Sequence, residues 1–132
     1  MSALFNFLLI DDSAFDLLIY EKLLLKSGIS NSVKTFNSAR TALHYLSDEG
    51  SSLPETVILL DLQMPDMNGF EFIEEYDLLP DSLKEKIRIF MLSSTIDTRD
   101  IEKAKASQHI LDLLPKPLEI ANLKIKISTN QA

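Results

Sequence analysis

The sequence predicts an α/β domain built on a parallel β-sheet with helices on both faces. Five short apolar runs alternate with segments of helical periodicity along the 132 residues. The runs are nearly continuous instead of alternating between apolar and polar residues, which is typical of parallel strands that are covered on both faces. Right-handed crossovers between such strands leave two common strand orders, the dinucleotide-binding order and the order 2-1-3-4-5.

The first strand and the first helix have clear boundaries. Residues 4–10 form a short apolar run that ends in polar residues, as a buried strand does. Asp12 and Ser13 can cap a helix over residues 14–27, and Gly28 can end it.

The second strand and helix follow the same plan. The strand is predicted at residues 32–36, and residues 47–54 are polar and contain glycine and proline, so they are predicted to form a loop. Between them, Asn37 and Ser38 can cap a helix. Its apolar face consists of residues at helical spacing, namely Ala39, Ala42, Leu43 and Leu46.

The third strand carries the most apolar run. It is predicted at residues 56–60 and ends at Asp61. The composition of residues 64–69 indicates a turn. A helix is predicted to follow as far as Leu79, where residues 80–82 break it.

The last part of the chain contains two further strands, at residues 87–92 and 110–114. Between them, a helix is predicted over residues 97–107, and its apolar face is thin. Residues 118–127 fit a short amphipathic helix, and residues 128–132 are expected to fray.

Composition and charge exclude several classes of protein. A content of 45% hydrophobic and 25% charged residues is ordinary for one globular domain, so we expect residues 1–132 to form a single domain without an effector domain. The absence of cysteine excludes disulfides, thiol nucleophiles and thiolate zinc sites. Nucleic-acid binding requires a positively charged surface, and a net charge of -7 argues against one.

The sequence also gives no sign of a membrane segment or a signal peptide. No apolar run reaches the roughly 18 residues that span a membrane. The apolar N-terminal stretch lacks a basic start and ends on two aspartates. We therefore expect a cytoplasmic protein.

Polar residues stand where the predicted strands end. Asp11 and Asp12 follow the first strand, Asp61 the third, Ser93 the fourth and Lys116 the fifth. In an open α/β sheet the site lies at the carboxyl ends of the strands. If the first and third strands are neighbours, three carboxylates meet there, and their repulsion is relieved by a cation. Oxygen ligands suit Mg²⁺ or Mn²⁺, and a serine hydroxyl and a lysine beside such a cation can bind a phosphoryl group.

Taken together and in this order, these motifs resemble a response-regulator receiver domain. The motifs are Asp11-Asp12 after an apolar strand, Asp61 in LLDLQMPDMNG, Ser93 after IFML, and Lys116-Pro117 after the fifth strand. The resemblance covers residues 5–127. It implies a flavodoxin-like (CheY-like) doubly wound sheet of five parallel strands in the order 2-1-3-4-5.

The resemblance also implies a role for each site residue. Asp61 looks like the phosphoryl acceptor. Asp12 would bind Mg²⁺ directly, Asp11 would act mainly through water, and the backbone carbonyl of Gln63 would be a further ligand. Ser93 would hydrogen-bond the phosphoryl group.

The remaining implied roles concern Lys116 and the partners. Lys116 would pair with a phosphoryl oxygen, and its bond to Pro117 is expected to be cis. Gln63 and Thr95 occupy positions that, in the family, look onto the water that hydrolyses the phosphorylated product. The phosphoryl donor would be a sensor histidine kinase or a histidine phosphotransfer protein, and a downstream target protein would read the phosphorylated state. The domain would then catalyse only its own phosphorylation and dephosphorylation.

One residue departs from the family pattern, and the two histidines have no role in it. Leu113 stands three residues before the lysine, where the family usually carries Phe or Tyr as a rotating switch. His44 and His109 are expected to be surface residues and not metal ligands. Two alternative functions would use a related site. A hydrolase that forms an aspartyl phosphate would want an acid at the position of Gln63, and a phosphorylation-independent adaptor would have lost acids or the lysine.

Overall fold

In a computed structural model that describes residues 4–129, five parallel strands form one sheet in the order β2-β1-β3-β4-β5. The strands are β1 (Phe5–Ile10), β2 (Ser30–Phe36), β3 (Thr56–Asp61), β4 (Ile87–Ser93) and β5 (Ile110–Pro115). This order confirms the predicted doubly wound sheet. It also selects between the two strand orders that the apolar pattern alone left open.

Helices cover both faces of the sheet. They are α1 (Ala14–Lys26), α2 (Ala39–Glu49), α3 (Gly69–Tyr76), a one-turn α4 (Asp81–Lys84), α5 (Thr98–Ala106) and α6 (Ile120–Thr129). Alternate side chains of β3 show the two layers: Ile58 and Leu60 belong to one apolar cluster, which packs under α2 and α3. Val57 and Leu59 belong to the other, which packs under α1 and α6. Because every residue of β3 is buried, its apolar run is continuous.

Side-chain caps fix where the helices start. The side chains of Ser13, Ser38 and Asp97 each accept a hydrogen bond from the backbone N–H three residues on, as capping residues do. Asn68 does the same for α3, and the side chain of Glu71 in turn accepts a hydrogen bond from the backbone N–H of Asn68. The predicted turn after β3 therefore ends in a capping box that starts α3.

The ends of α2 and α3 differ from the prediction. Helix α2 runs to Glu49 and is followed by a 3-10 turn (Gly50–Ser52), where the polar composition predicted a loop from residue 47. Burial of Leu46 anchors the last turns of α2 to the core, and Gly50, at φ +46°, ends the helix. Helix α3 ends at Tyr76 instead of Leu79, because the chain turns there toward the proline that precedes α4.

The C-terminal helix α6 begins two residues later and ends two residues later than predicted. Ser128 and Thr129 are helical and not frayed, because Ile127 is buried against the sheet and the Thr129 hydroxyl donates to the Ile125 carbonyl at 2.8 Å. The rest of the segment predicted to fray, residues 130–132, lies outside the described residues. Between residues 4 and 129, no helix has the length and apolarity to cross a membrane.

Candidate functional site

The carboxyl ends of β3, β4 and β5 meet at one edge of the sheet. Asp61 ends β3 and pairs in register with Leu92, so Ser93 stands one step further along β4. The backbone N–H of Lys116 donates to the Ser93 carbonyl at 2.9 Å, which brings the end of β5 beside β4. The structure therefore gathers the predicted residues of β3, β4 and β5 at the edge where ligands of open α/β sheets bind.

The ammonium group of Lys116 lies at the centre of the charged residues. Its Nζ atom is 2.8 Å from Asp11 Oδ2, 3.1 Å from Asp16 Oδ2 and 3.3 Å from Asp61 Oδ1. Burial by itself lowers the pKa of Lys116. The hydrogen bond and charge of Asp11, the hydrogen bond of Asp16 and the charge of Asp61 outweigh burial and raise that pKa above its ordinary value. Lys116 is therefore a fixed positive charge.

Asp61 is buried, and its negative charge is only partly balanced by its neighbours. Among the described residues, its Oδ1 atom is the one buried side-chain oxygen or nitrogen without a hydrogen bond, although it forms the ion pair with Lys116. Burial and the nearby charge of Asp11 raise the pKa of Asp61 from 3.8 to about 6, while Lys116 acts in the opposite direction. An oxygen in this state is ready to bind a cation or to attack an electrophile.

Three carboxylates are close enough to share a cation. One oxygen from each of Asp11, Asp12 and Asp61 lies within 4.8 Å of the others. Asp11 is already engaged, because its Oδ1 accepts from the Ser13 backbone N–H at 2.9 Å and its Oδ2 accepts from Lys116. Asp12 is exposed to solvent. An all-oxygen set with one unbonded buried oxygen suits Mg²⁺ or Mn²⁺, and the site residues therefore fit this ion.

Ser93 is fully buried beside this cluster, and its hydroxyl is already bonded. Its Oγ atom lies within donating distance of Gln63 Oε1, at 3.0 Å, and of the Thr95 carbonyl, at 2.7 Å. The Thr95 backbone N–H donates to the same Oγ at 3.2 Å. Gln63 thus contacts Ser93 through its side chain. The resemblance implied a metal ligand in its backbone carbonyl and a position facing the hydrolytic water, and it did not imply this hydrogen bond.

Gly69 makes the close packing behind Asp61 possible. A Cβ atom at this position would lie 3.1 Å from the Asp61 carbonyl oxygen and 3.1 Å from Leu62 Cα. The backbone N–H of Gly69 donates to the Leu62 carbonyl at 2.9 Å. The glycine that follows the turn after β3 is therefore needed for close approach between α3 and the end of β3.

The structure adds one residue to the site and corrects one prediction. Asp16, which the sequence did not single out, binds Lys116 from the first turn of α1. The sequence feature that could have pointed to Asp16 is its position three residues after the Ser13 cap, close to the strand ends. His109 is not an ordinary surface residue: its Nε2 lies 2.7 Å from Asp77 Oδ1, its ring packs edge-on against Tyr76, and its side chain is 16% exposed.

Two other predictions concern the segment around Lys116. The Lys116–Pro117 peptide bond is cis, as predicted. Leu113 is half-buried against the apolar cluster under α2 and α3, so no aromatic side chain stands at the position of the family's rotating switch.

A sheet in this order, with three acids and a lysine at its carboxyl edge, defines a domain of the receiver type. The family model "Response regulator receiver domain" matches residues 7–128, and the chain belongs to that family. Receiver domains are switches of two-component signal transduction and are not enzymes in the ordinary sense.

Individual relatives agree with this assignment. The two-component response regulator ARR11 of Arabidopsis thaliana is 34% identical over 119 residues, which is 89% of this chain and 21% of that protein. The chain spans about a fifth of the length of the curated relatives it matches.

Solved structures show the same fold. A response regulator receiver protein from Dyadobacter fermentans is 54% identical with a TM-score of 0.89, covering 95% of this chain and 96% of that one. A two-component response regulator from Cytophaga hutchinsonii is 26% identical with a TM-score of 0.86, covering 96% of each chain.

Proposed function

We propose that Asp61 accepts a phosphoryl group from a phosphohistidine and that the phosphorylated domain changes the surface it offers to a target protein. The observation that carries this proposal is the state of Asp61 Oδ1, which is buried, has no hydrogen bond, and lies 3.3 Å from Lys116 Nζ. A carboxylate of this kind is a nucleophile placed next to a fixed positive charge.

The chemical step needs only atoms that the site, the donor and solvent water supply. An Asp61 oxygen attacks phosphorus in line, so that an O–P bond forms while the N–P bond of the phosphohistidine breaks. The imidazole leaves with the bonding electron pair and takes a proton from water. Lys116 already faces the attacking oxygen and offsets negative charge on the transferred group. The product is an acyl phosphate on Asp61.

The acids are also placed to hold the metal. Asp12 and Asp61, with the backbone carbonyl of Gln63, would bind Mg²⁺ or Mn²⁺ directly, and Asp11 would act through water because both of its oxygens are engaged. When bound, the ion neutralises charge on the phosphoryl oxygens. Lys116 by itself balances the negative charge of only one of the surrounding carboxylates. The remaining negative charge favours binding of the ion.

The exposed face of α1 is the surface we propose for the donor protein. Phe15, Leu18 and Leu25 are 70%, 50% and 59% exposed, and large apolar side chains left in water on one helix mark a protein interface. The helix starts directly after the acids, and Asp16 in its first turn binds Lys116. A protein docked on α1 therefore lies next to Asp61. We propose a sensor histidine kinase or a histidine phosphotransfer protein as this donor.

A hydrolase is not favoured by the site. Such an enzyme would use a proton-donating acid at the position of Gln63, whose amide cannot release a proton and is bonded to Ser93. A phosphorylation-independent adaptor would have no use for a buried lysine held by three carboxylates.

The test is phosphotransfer from kinases of the source organism, with the small acyl phosphate acetyl phosphate as a second donor. In the wild-type chain we expect labelling by a protein donor, and none in Asp61→Asn, whereas the exposed Asp66→Asn should label normally. Phe15→Ser should slow transfer from the protein donor and leave labelling by acetyl phosphate unchanged. Leu78→Ser, at a side chain that is 78% exposed on another surface, is the matched control. Equal labelling of Asp61→Asn would overturn the proposal.

A further inference from the structure

We propose that the Gln63 side chain competes with the phosphoryl group for the Ser93 hydroxyl, and so sets how readily the domain enters its phosphorylated state. This inference rests on the proposed function, and it assigns to Gln63 a positioning role that acts through Ser93. It predicts that loss of the Gln63 amide makes the phosphoryl-bound state easier to reach.

The hydrogen bonds of Ser93 leave its hydroxyl no spare capacity. The single hydroxyl proton has two acceptors in reach, Gln63 Oε1 at 3.0 Å and the Thr95 carbonyl at 2.7 Å. The Thr95 N–H occupies an acceptor position of the same oxygen. Because a hydroxyl donates one hydrogen bond, it can donate to a phosphoryl oxygen only by leaving both present acceptors.

The position of Gln63 makes it a connection between two loops. The neighbouring Leu62 is fixed by two backbone bonds, in which its N–H donates to the Leu92 carbonyl at 2.8 Å and its carbonyl accepts from Gly69 at 2.9 Å. From this fixed backbone the Gln63 side chain reaches Ser93, thirty residues further along the chain. It therefore ties the loop after β3 to the loop that leads from β4 into α5.

Releasing this connection is part of the expected change of state. Ser93 is fully buried, so its hydroxyl cannot replace the hydrogen bond to Gln63 with one to bulk water. The exposed Gln63 amide, in contrast, can be solvated once Ser93 turns away. The hydrogen bond thus stabilises only the unphosphorylated arrangement, and a contact present in one of two states shifts the equilibrium between them.

The test measures the affinity of the full chain for beryllofluoride, a phosphoryl mimic, by calorimetry in saturating Mg²⁺. Gln63→Leu keeps the volume of the side chain and removes its acceptor. We expect it to tighten binding by about twofold to threefold, less than one full net hydrogen bond supplies, because the Thr95 carbonyl remains as an acceptor for the same proton. In the background of Ser93→Ala the same substitution should change nothing, because the partner of the amide is gone. Gln63→Glu restores an acceptor. The part of the affinity change that depends on the Ser93 hydroxyl should therefore disappear in this variant.

The outcomes separate this inference from the function on which it rests. If the wild-type chain does not bind beryllofluoride, the proposed phosphoryl acceptance fails. If the wild type binds, but Gln63→Leu binds equally well or more weakly, the competition between Gln63 and the phosphoryl group is refuted. Equal tightening with and without the Ser93 hydroxyl would also refute it, because Gln63 would then act by another route.

Discussion

Asp61 and Lys116 share one partly buried space with Asp11 and Asp16, so three carboxylates surround a single ammonium group. Burying charges is costly unless each is paired, and removal of a partner leaves an uncompensated charge. In this site the excess is negative, and it falls on the residue with an unbonded buried oxygen, Asp61. The same excess makes the site receptive to a cation and makes ionised Asp61 a source of instability when no cation is bound.

We expect Asp61→Asn to stabilise the metal-free protein at pH 8. The folded-state pKa of Asp61, about 6, lies above the ordinary value of 3.8, so protonation of this group stabilises the fold. That contribution is fully present below about pH 4 and is lost as the pH rises through about 6. Asparagine resembles the protonated form, so the substitution should be nearly neutral at pH 4 and should stabilise by about 1–2 kcal/mol at pH 8.

Urea unfolding in EDTA between pH 4 and pH 8 checks this expectation. The exposed Asp66→Asn serves as the control and should follow the wild type at every pH. A loss of stability in Asp61→Asn at pH 8 would mean that the ion pair with Lys116 outweighs the burial of the carboxylate, contrary to our interpretation.

Helix α5 has only a small share in the core. Ala104 is its one fully buried residue, which confirms the predicted thin apolar face, and Ile101 is 37% exposed. Elements with few buried apolar contacts lie at the low-stability end of a fold, where switching segments are found. The Ser93–Thr95 bonds lead directly into the Asp97 cap of α5, so a movement of Ser93 can be passed to the helix.

We expect beryllofluoride with Mg²⁺ to alter hydrogen exchange in residues 94–108. The reason is that Ser93 must leave its present acceptors, which holds the start of this segment in a new position. The half-buried Leu113 offers no phenol to a partner, so the change should run through the backbone and the loop. We would then expect a target protein to bind the surface formed by α5, β5 and α6. Helix α2, which packs against β2 and α3, is the internal control. Unchanged exchange at 94–108 with the mimic bound would place the output surface elsewhere.

The sequence was most informative where burial is continuous. The apolar runs of β1, β3 and β4 lie in the middle of the sheet, and their placement from sequence is confirmed within one residue at each end. Boundaries set by tertiary contacts were less predictable. Helix α2 continues into a polar stretch because Leu46 is buried, and α6 reaches Thr129 because Ile127 is buried.

At the site, the strand-end residues could be predicted and their side-chain partners could not. Strand ends follow from the topology, which brought Asp11, Asp61 and Lys116 together as expected. The bond between Gln63 and Ser93 depends on how two loops meet in space, and no local pattern encodes it. The contact of His109 with Asp77 joins residues 32 positions apart and was missed for the same reason.

The whole molecule should gain stability when Mg²⁺ binds. A ligand that binds only the folded state contributes about 2.7 kcal/mol at one hundred times its Kd. Since the ion competes with the proton on Asp61, the gain should be largest above pH 7 and should decline as the pH falls through about 6. Thermal melts in Mg²⁺, compared with EDTA at matched ionic strength, measure it. Asp12→Asn should reduce the gain, and a wild type that melts identically in both buffers would contradict the acid site.

Phosphorylation of the intact chain tests the proposed function as a whole. The wild-type protein is incubated with acetyl phosphate and Mg²⁺, its intact mass is measured, and the product is then treated with hydroxylamine. We predict a mass gain of one phosphoryl group that requires Mg²⁺, maps to Asp61, is removed by hydroxylamine as acyl phosphates are, and is absent in Asp61→Asn. A hydroxylamine-resistant phosphate on Ser93, Ser94 or Thr95, or labelling that survives in Asp61→Asn, would contradict the assignment of Asp61 as the acceptor.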